Sequence, residues 1–330
     1  MRRANLRLVR AAFRILESLG PALAGRWATR LWCTPPHAPA ANRRDPQTAP
    51  GERFLTPLAA APDWATRPIW RNRLGTHVAV PVAGRGMVVA EAWGEGPITY
   101  LVHGWGGRRG QLAAFVAPLV AAGQRVVAFD ALGHGESGAG RLGGRRTTLV
   151  EVAEALAAVV AVTGPAHAIV AHSGGGAATA LAIQDGLPAG RLVFIAPFGD
   201  PMPYLRQFAR TLRLGRRGFA NLLRRIERLG GRDLADFDGP GRAAAITRSG
   251  GELPPLLVIH DRYDREVGYS DGQAYAEAWP DARLLTTEGL GHRRLLRDPG
   301  VIDAVVRFVT GEPAAELAPA SSPAGEPSRR

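Results

Sequence analysis

The sequence predicts an α/β fold: a mostly parallel central sheet of about eight strands, helices on both faces and one helical insertion. Three observations lead there. Short apolar segments alternate with stretches of helical length from residue 76 to residue 310. Polar, glycine-bearing turns follow successive strand segments, where ligands collect in open parallel sheets. The alternation is interrupted over 198–253 by helical patterns with no strand among them.

A chain of 330 residues can bury a sizeable α/β core, and its 46% hydrophobic content is ordinary for a globular protein. Its charge is not ordinary: the net formal charge is +12 and all 41 basic residues are arginines. Such a balance favours nonspecific contact with anionic partners. No nucleic-acid-binding module accompanies it, so no specific nucleic acid is expected. The single cysteine, Cys33, excludes an intramolecular disulfide. No spacing of His, Cys, Asp or Glu resembles a metal-ligand set, and no cofactor-binding loop is recognisable, so neither metal nor cofactor is expected. No run of roughly 18 apolar residues is present. Arginines and Glu17 interrupt the start of the chain, which leaves a cytoplasmic location as the expectation.

In chain order, residues 1–52 hold two helical patterns, Leu6–Leu19 and Ala22–Trp32, and a Pro-rich connector. In the first, Leu6, Val9, Phe13, Leu16 and Leu19 lie near one face with arginines elsewhere. This arm has three possible roles: docking on the main domain, peripheral contact with a membrane surface, or binding a partner. Residues 53–75, scattered in pattern, are expected to pack outside the sheet. Segments 77–82 and 87–93 read as a hairpin at an antiparallel edge, since Pro81 fits only there or at a bulge.

Strand 98–102, helix 111–122, strand 125–129, helix 149–162, strand 167–171, helix 175–184 and strand 191–196 follow. They complete the first part of the core, 53–197. The insertion, 198–253, carries helical patterns at 203–214 and 219–229. Leu205, Phe208, Phe219 and Leu222 are its candidates for a pocket lining. Between Arg206 and Arg232 it holds nine arginines and one acidic residue. The core resumes over 254–310 with strand 256–260, helix 270–279, strand 282–286 and helix 301–309. Residues 311–330 have too little to bury and are expected to be a disordered tail.

The chemistry centres on Val170-Ala171-His172-Ser173-Gly174-Gly175-Gly176. A serine flanked by glycines between an apolar strand and an Ala-rich helix is the description of a nucleophile elbow. Ala171 stands where Gly-x-Ser-x-Gly has its first glycine. Polar turns also follow other strands at His103-Gly104-Trp105-Gly106-Gly107, Asp130–Ser137, His260–Asp264 and Gly289–His292. Ser, then Asp, then His thus occur in order after successive strands.

These segments together resemble the α/β-hydrolase family over roughly residues 76–310. Residues 103–107 are similar to its oxyanion loop, and Asp130-Ala131-Leu132-Gly133-His134-Gly135-Glu136-Ser137 to its Asp-x-x-Gly-His-Gly-x-Ser segment. His260-Asp261-Arg262-Tyr263-Asp264 is similar to its acid loop, with Asp261 where glycine is common. The resemblance implies the α/β-hydrolase fold with the insertion as a cap. It implies Ser173 as nucleophile, His292 as base and Asp264 as the orienting acid, with Asp261 a rival carboxylate. Oxyanion donors would be the amides of Trp105 and Gly174, and His172 would touch the pocket wall.

The implied activity is serine hydrolysis of a small-molecule carboxylic ester of small or medium acyl group through an acyl-enzyme. The alternative is a noncatalytic binding or scaffold protein that keeps the fold, suggested by Ala171, Asp261 and the Arg-rich arm. Oligomeric state is not readable from these residues.

Overall fold

Side-chain alternation organises the centre of the molecule. In the strand Ala166–His172, Ile169 and Ala171 join one apolar cluster while Ala168 and Val170 join another. That two-residue period means both faces of the strand are covered. The structure is a computed structural model that describes residues 3–36, 52–57 and 87–312.

Its strands are β1 (Glu52–Pro57), β2 (Met87–Trp93), β3 (Ile98–Val102), β4 (Arg125–Phe129), β5 (Ala166–His172), β6 (Ala189–Ile195), β7 (Leu256–Asp261) and β8 (Ala282–Thr287). They form one eight-stranded sheet in the order β1-β2-β4-β3-β5-β6-β7-β8. β2 runs antiparallel to both β1 and β4, and every other pairing is parallel. From β3 the chain first moves to β4 on one side, then returns to β5 on the other. The loops after β3 and β5 therefore leave the sheet side by side at a topological switch point, where α/β sheets open a crevice.

The helices are α1 (Arg3–Leu19), α2 (Pro21–Trp32), α3 (Val116–Ala121), α4 (Leu149–Thr163), α5 (Gly174–Gln184), α6 (Pro201–Leu212), α7 (Arg216–Gly230), α8 (Gly239–Arg248), α9 (Tyr269–Ala278), α10 (Gly291–Arg294) and α11 (Pro299–Thr310). Leu156 of α4, Ala180 of α5, Ala243 of α8 and Tyr275 of α9 cover one face of the sheet. Val116 of α3 and Val305 of α11 cover the other. Capping is legible in the residues: Thr148 accepts the Glu151 amide to start α4, and Asp298, followed by Pro299, accepts the Val301 amide to start α11.

Several expectations change. Among the described residues both edges of β2 are taken, by β1 on one side and by β4 with residues 137 and 138 on the other. Segment 77–82 itself lies outside the described residues, as do most of the connector and of the tail. Residues 53–57, part of the stretch expected to lie outside the sheet, belong to its edge strand β1. The helix expected over 111–122 is a 3-10 turn, Arg109–Phe115, kinked at Leu112 (φ −103°, ψ 21°), before α3.

The insertion is also more divided than its pattern suggests. α6 and α7 stand over the carboxyl ends of the strands, but a third helix, α8, belongs to the core through Ala243. The N-terminal arm docks on α6 and α7 rather than on the sheet. Phe13, Ala24 and Ala28 share a cluster with Leu205, Leu212 and Leu222, and Phe13 stacks on Trp27 at 4.5 Å. Glu17 closes the junction by accepting the amides of Gly215, Arg217 and Gly218 at the start of α7, which has no side-chain cap of its own. Arm and cap together make a four-helix roof.

Candidate active site

Ser173 sits between β5 and α5 with φ 53° and ψ −123°. Among the described residues it is one of three non-glycine residues with positive φ, a conformation held only when the surroundings enforce it. Glycines do the enforcing. A Cβ on Gly175 would lie 2.5 Å from the His103 carbonyl oxygen, so only glycine lets α5 approach β3 this closely. Ala171, the departure from the elbow pattern, is fully buried in the core and its methyl is accommodated there.

The loop after β3 passes directly beside this turn. A Cβ on Gly174 would lie 3.4 Å from the Trp105 nitrogen. The amides around Trp105 are each engaged: Gly104 donates to Gln111 Oε1 (2.8 Å), Gly106 to His134 Nε2 (3.1 Å) and Gly107 to the Gly104 carbonyl (2.8 Å). Among the described residues the Trp105 amide has no acceptor. Gly174 begins a helix, whose first amides lack intrahelical partners. Two unused N–H groups therefore lie side by side next to Ser173.

The acid loop delivers Asp264. Its Oδ1 accepts the amides of Glu266 (2.7 Å) and Val267 (3.0 Å), and its Oδ2 accepts His292 Nδ1–H at 2.7 Å. His260 Nε2 lies 3.5 Å from the same Oδ2. Burial alone would raise the carboxyl's pKa; the contacts with His260, His292 and the Val267 amide outweigh it and hold the group well below the usual carboxylate range. Asp261, the rival acid, does not face His292. Its Oδ2 accepts Thr287 Oγ1–H (2.9 Å) and the Leu290 amide (2.8 Å), and so ties the acid loop to the histidine loop.

His292 stands at the start of α10 after Gly291, whose φ is 63°. With its Nδ1–H given to Asp264, its Nε2 is left as the basic position. His292 and Ser173 line the same cavity, and no hydrogen bond joins them. His172 donates Nε2–H to the His292 carbonyl (3.1 Å), and burial pushes its pKa down to about 3, so it serves as a neutral prop for the histidine loop.

His103 and His134 are structural in the same way. Each accepts a backbone amide at Nε2, from Ala131 and Gly106 respectively, and burial lowers both, His134 to about 3. Asp130 accepts the Arg109 and Glu136 amides and pairs with the Arg109 guanidinium, which fixes the 130–137 loop.

The cavity above Ser173 measures about 570 Å³. Of the five residues expected to line it, His172, Leu205 and Phe208 do so, whereas Phe219 and Leu222 do not. Those two face the arm: Leu222 is fully buried against Phe13 and Ala28, with Phe219 packed on the same cluster. In their place the arm contributes Trp32, Cys33 and Pro36. Trp32 packs edge-on against Phe208, with ring centroids 5.2 Å apart, and the Cys33 carbonyl accepts the Thr147 amide. Burial pushes the Cys33 thiol up to about 12, so it is an inert wall.

Tyr204 of α6 is a further residue that pattern reading missed. Its hydroxyl donates to Asp271 Oδ2 (2.7 Å) and accepts the Gly268 amide (3.2 Å), pinning the roof to the start of α9. A tyrosine amid leucines and arginines gives no sequence signal for either bond. Among the described residues, no group of three or more His, Cys, Asp or Glu is placed to hold a metal ion, and no helix is long and apolar enough to cross a membrane.

A strained serine at the switch point, an imidazole backed by a carboxylate and a loop with an unused amide are the arrangement of an α/β hydrolase. The model of the alpha/beta hydrolase family matches residues 99–305. The chain belongs to that family. No curated protein matches it. Among solved structures, an esterase from Exiguobacterium antarcticum is similar at 16% identity with a TM-score of 0.51, covering 69% of this chain and 97% of the esterase. An N-acyl homoserine lactone degrading enzyme aligns at 16% identity and TM-score 0.52, covering 68% of this chain and 96% of its own. A bromoperoxidase from Bacillus anthracis aligns at 16% and 0.52, covering 79% of this chain and all of its own. At these identities the likeness is one of fold.

Proposed function

We propose that the protein is a serine hydrolase that cleaves a carboxylic ester through an acyl-enzyme. The observation that carries this reading is the 2.7 Å contact between Asp264 Oδ2 and His292 Nδ1 in the cavity that Ser173 also lines. In the proposed mechanism His292 Nε2 takes the proton as Ser173 Oγ attacks the acyl carbon. It then returns that proton to the departing alkoxide, and water reverses the sequence. Asp264 orients the ring and stabilises the imidazolium. The developing oxyanion falls to the amides of Trp105 and Gly174, which need no reorganisation. The serine–histidine contact is expected to form when the ester seats, since such bonds are often loose before substrate binds.

Fold alone does not choose the acyl compound, because this scaffold hosts many chemistries. The choice of a small or medium acyl group rests on the site. Trp105, Trp32 and Phe208 put three bulky rings into the lining of the cavity that holds Ser173, and Trp32 and Phe208 pack edge-on with centroids 5.2 Å apart. A panel of p-nitrophenyl esters from acetate to palmitate tests this. Turnover should peak at short to medium chains and fall by about 10⁴-fold or more in S173A and H292A. Undiminished turnover in S173A, with both variants folded, would overturn the proposal.

A further inference from the structure

Helix α1 has two apolar faces, and among the described residues only one is packed. Val9, Phe13 and Leu16 turn inward to the roof cluster. Leu8, Ile15 and Leu19, at spacings of seven and eleven residues, fall within about 40° of one another on a helical projection. They are 73%, 59% and 83% exposed. On α2, Leu23 is 57% exposed and shares a face with the exposed Arg26 and Arg30. Four of the seven large exposed hydrophobic residues among those described thus sit on one helical hairpin. Scattered exposed leucines need no explanation, but a stripe on one helix does.

The charge around the stripe indicates what covers it. Residues 3–32 contain six arginines and a single acidic residue, Glu17. Glu17 is consumed at the start of α7, so it does not neutralise the outer surface. Arg7 and Arg14, both exposed, each precede a stripe residue by one position and so run along one edge of it. Just behind, α7 adds five arginines against one glutamate. An apolar stripe flanked by arginines, on a helix too short and too charged to span a bilayer, has the chemistry of an interfacial helix. A second copy of this chain would bring arginine to arginine. A nucleic acid would have no use for the leucines.

We propose that the outer face of α1 and α2 binds the surface of an anionic lipid bilayer, with Leu8, Ile15, Leu19 and Leu23 entering the interface and the flanking arginines meeting lipid headgroups. The surface stands apart from the hydrolase reading and needs no reaction at Ser173. Its inner side, through Trp32 and Cys33, is the wall of the cavity.

The test is flotation of the full chain with phosphatidylcholine vesicles, with and without 30% phosphatidylglycerol. Expected is binding to the anionic vesicles only, weakened by salt. It should fall by about tenfold or more in L8Q/I15Q/L19Q and also in R7Q/R14Q. Because these side chains are exposed, all variants should keep the wild-type melting temperature. S173A should float like wild type, so loss of ester turnover and loss of lipid binding are separable. The proposal is overturned by absence of flotation at low salt, or by flotation that the L8Q/I15Q/L19Q substitutions leave unchanged. It is equally overturned if those substitutions abolish self-association while the wild type ignores vesicles, or if binding is to RNA alone.

Discussion

At the residue scale, Asp264 has the most specific job. It receives two backbone amides and one imidazole N–H, and it is the only carboxylate in contact with His292 among the described residues. Asp264→Asn keeps the size and the amide contacts but presents an NH₂ or a neutral oxygen to Nδ1, which frees the imidazole to adopt the wrong tautomer. The proposed chemistry predicts that kcat for a good ester falls by about 10⁴-fold with little change in KM. A fall of less than tenfold would mean that another carboxylate orients the ring. Asp261→Asn is the matched control. It loosens the tie between two loops, and its effect should be far smaller on turnover than on melting temperature. The order Ser173, Asp264, His292 was legible because each residue stands in a polar turn that follows a strand. The partners of Asp261 were not, since Thr287 and Leu290 meet it only once β7 and β8 are paired.

At the scale of elements, the roof is the feature that periodicity resolved least. Apolar repeats marked α1, α2, α6 and α7 correctly as helices, but a stripe does not say what it faces. Leu205 and Phe208 turned out to face the cavity and Phe219 and Leu222 the arm. That distinction depends on the arm docking above α7, a contact between residues about 200 positions apart. Glu17 is its keystone. Glu17→Ala leaves three amides at the start of α7 without an acceptor and removes a favourable charge, for about 1–2 kcal/mol. Hydrogen exchange at residues 215–218 should accelerate accordingly while β5 and β6 stay protected. Unchanged exchange in the roof would show that the apolar cluster alone holds the arm. The core was more legible because a strand buried on both faces is nearly continuous in Val, Ile, Leu and Ala. β1 escaped because Glu52–Pro57 is too polar and short to resemble such a strand.

At the scale of the whole molecule, buried imidazoles govern the response to acid. Burial lowers His103, His134 and His172 from an ordinary value of 6.5, the last two to about 3. The unfolded chain therefore binds protons that the folded protein refuses, and stability is complete above pH 6.5 and lost as pH falls toward 3. Asp264, held low, adds a loss below the unfolded carboxylate range. Burial raises Asp185 to about 6, and also lifts Glu154 and Asp271, which act with the opposite sign as pH falls. His134 and His172 each fall from 6.5 to about 3, while Asp185 rises from 3.8 to about 6, and His103 acts with the other two imidazoles, so destabilisation in acid is the expected outcome. Urea midpoints should decline steadily from pH 7 to pH 4. A flat profile would mean that these imidazoles are not held neutral.

The same molecular view joins the site to its roof. The sheet brings the loops after β3 and β5 together, the loops after β7 and β8 carry Asp264 and His292, and the arm adds Trp32, Cys33 and Pro36 to the wall of the cavity. The most direct measurement is covalent labelling of the full chain by a fluorophosphonate, followed by peptide mass spectrometry. One adduct per molecule on Ser173, absent in S173A and strongly slowed in H292A, is the expected result. No adduct, or an adduct elsewhere with Ser173 unmodified, would contradict the proposed chemistry and leave an α/β-hydrolase fold used for something else.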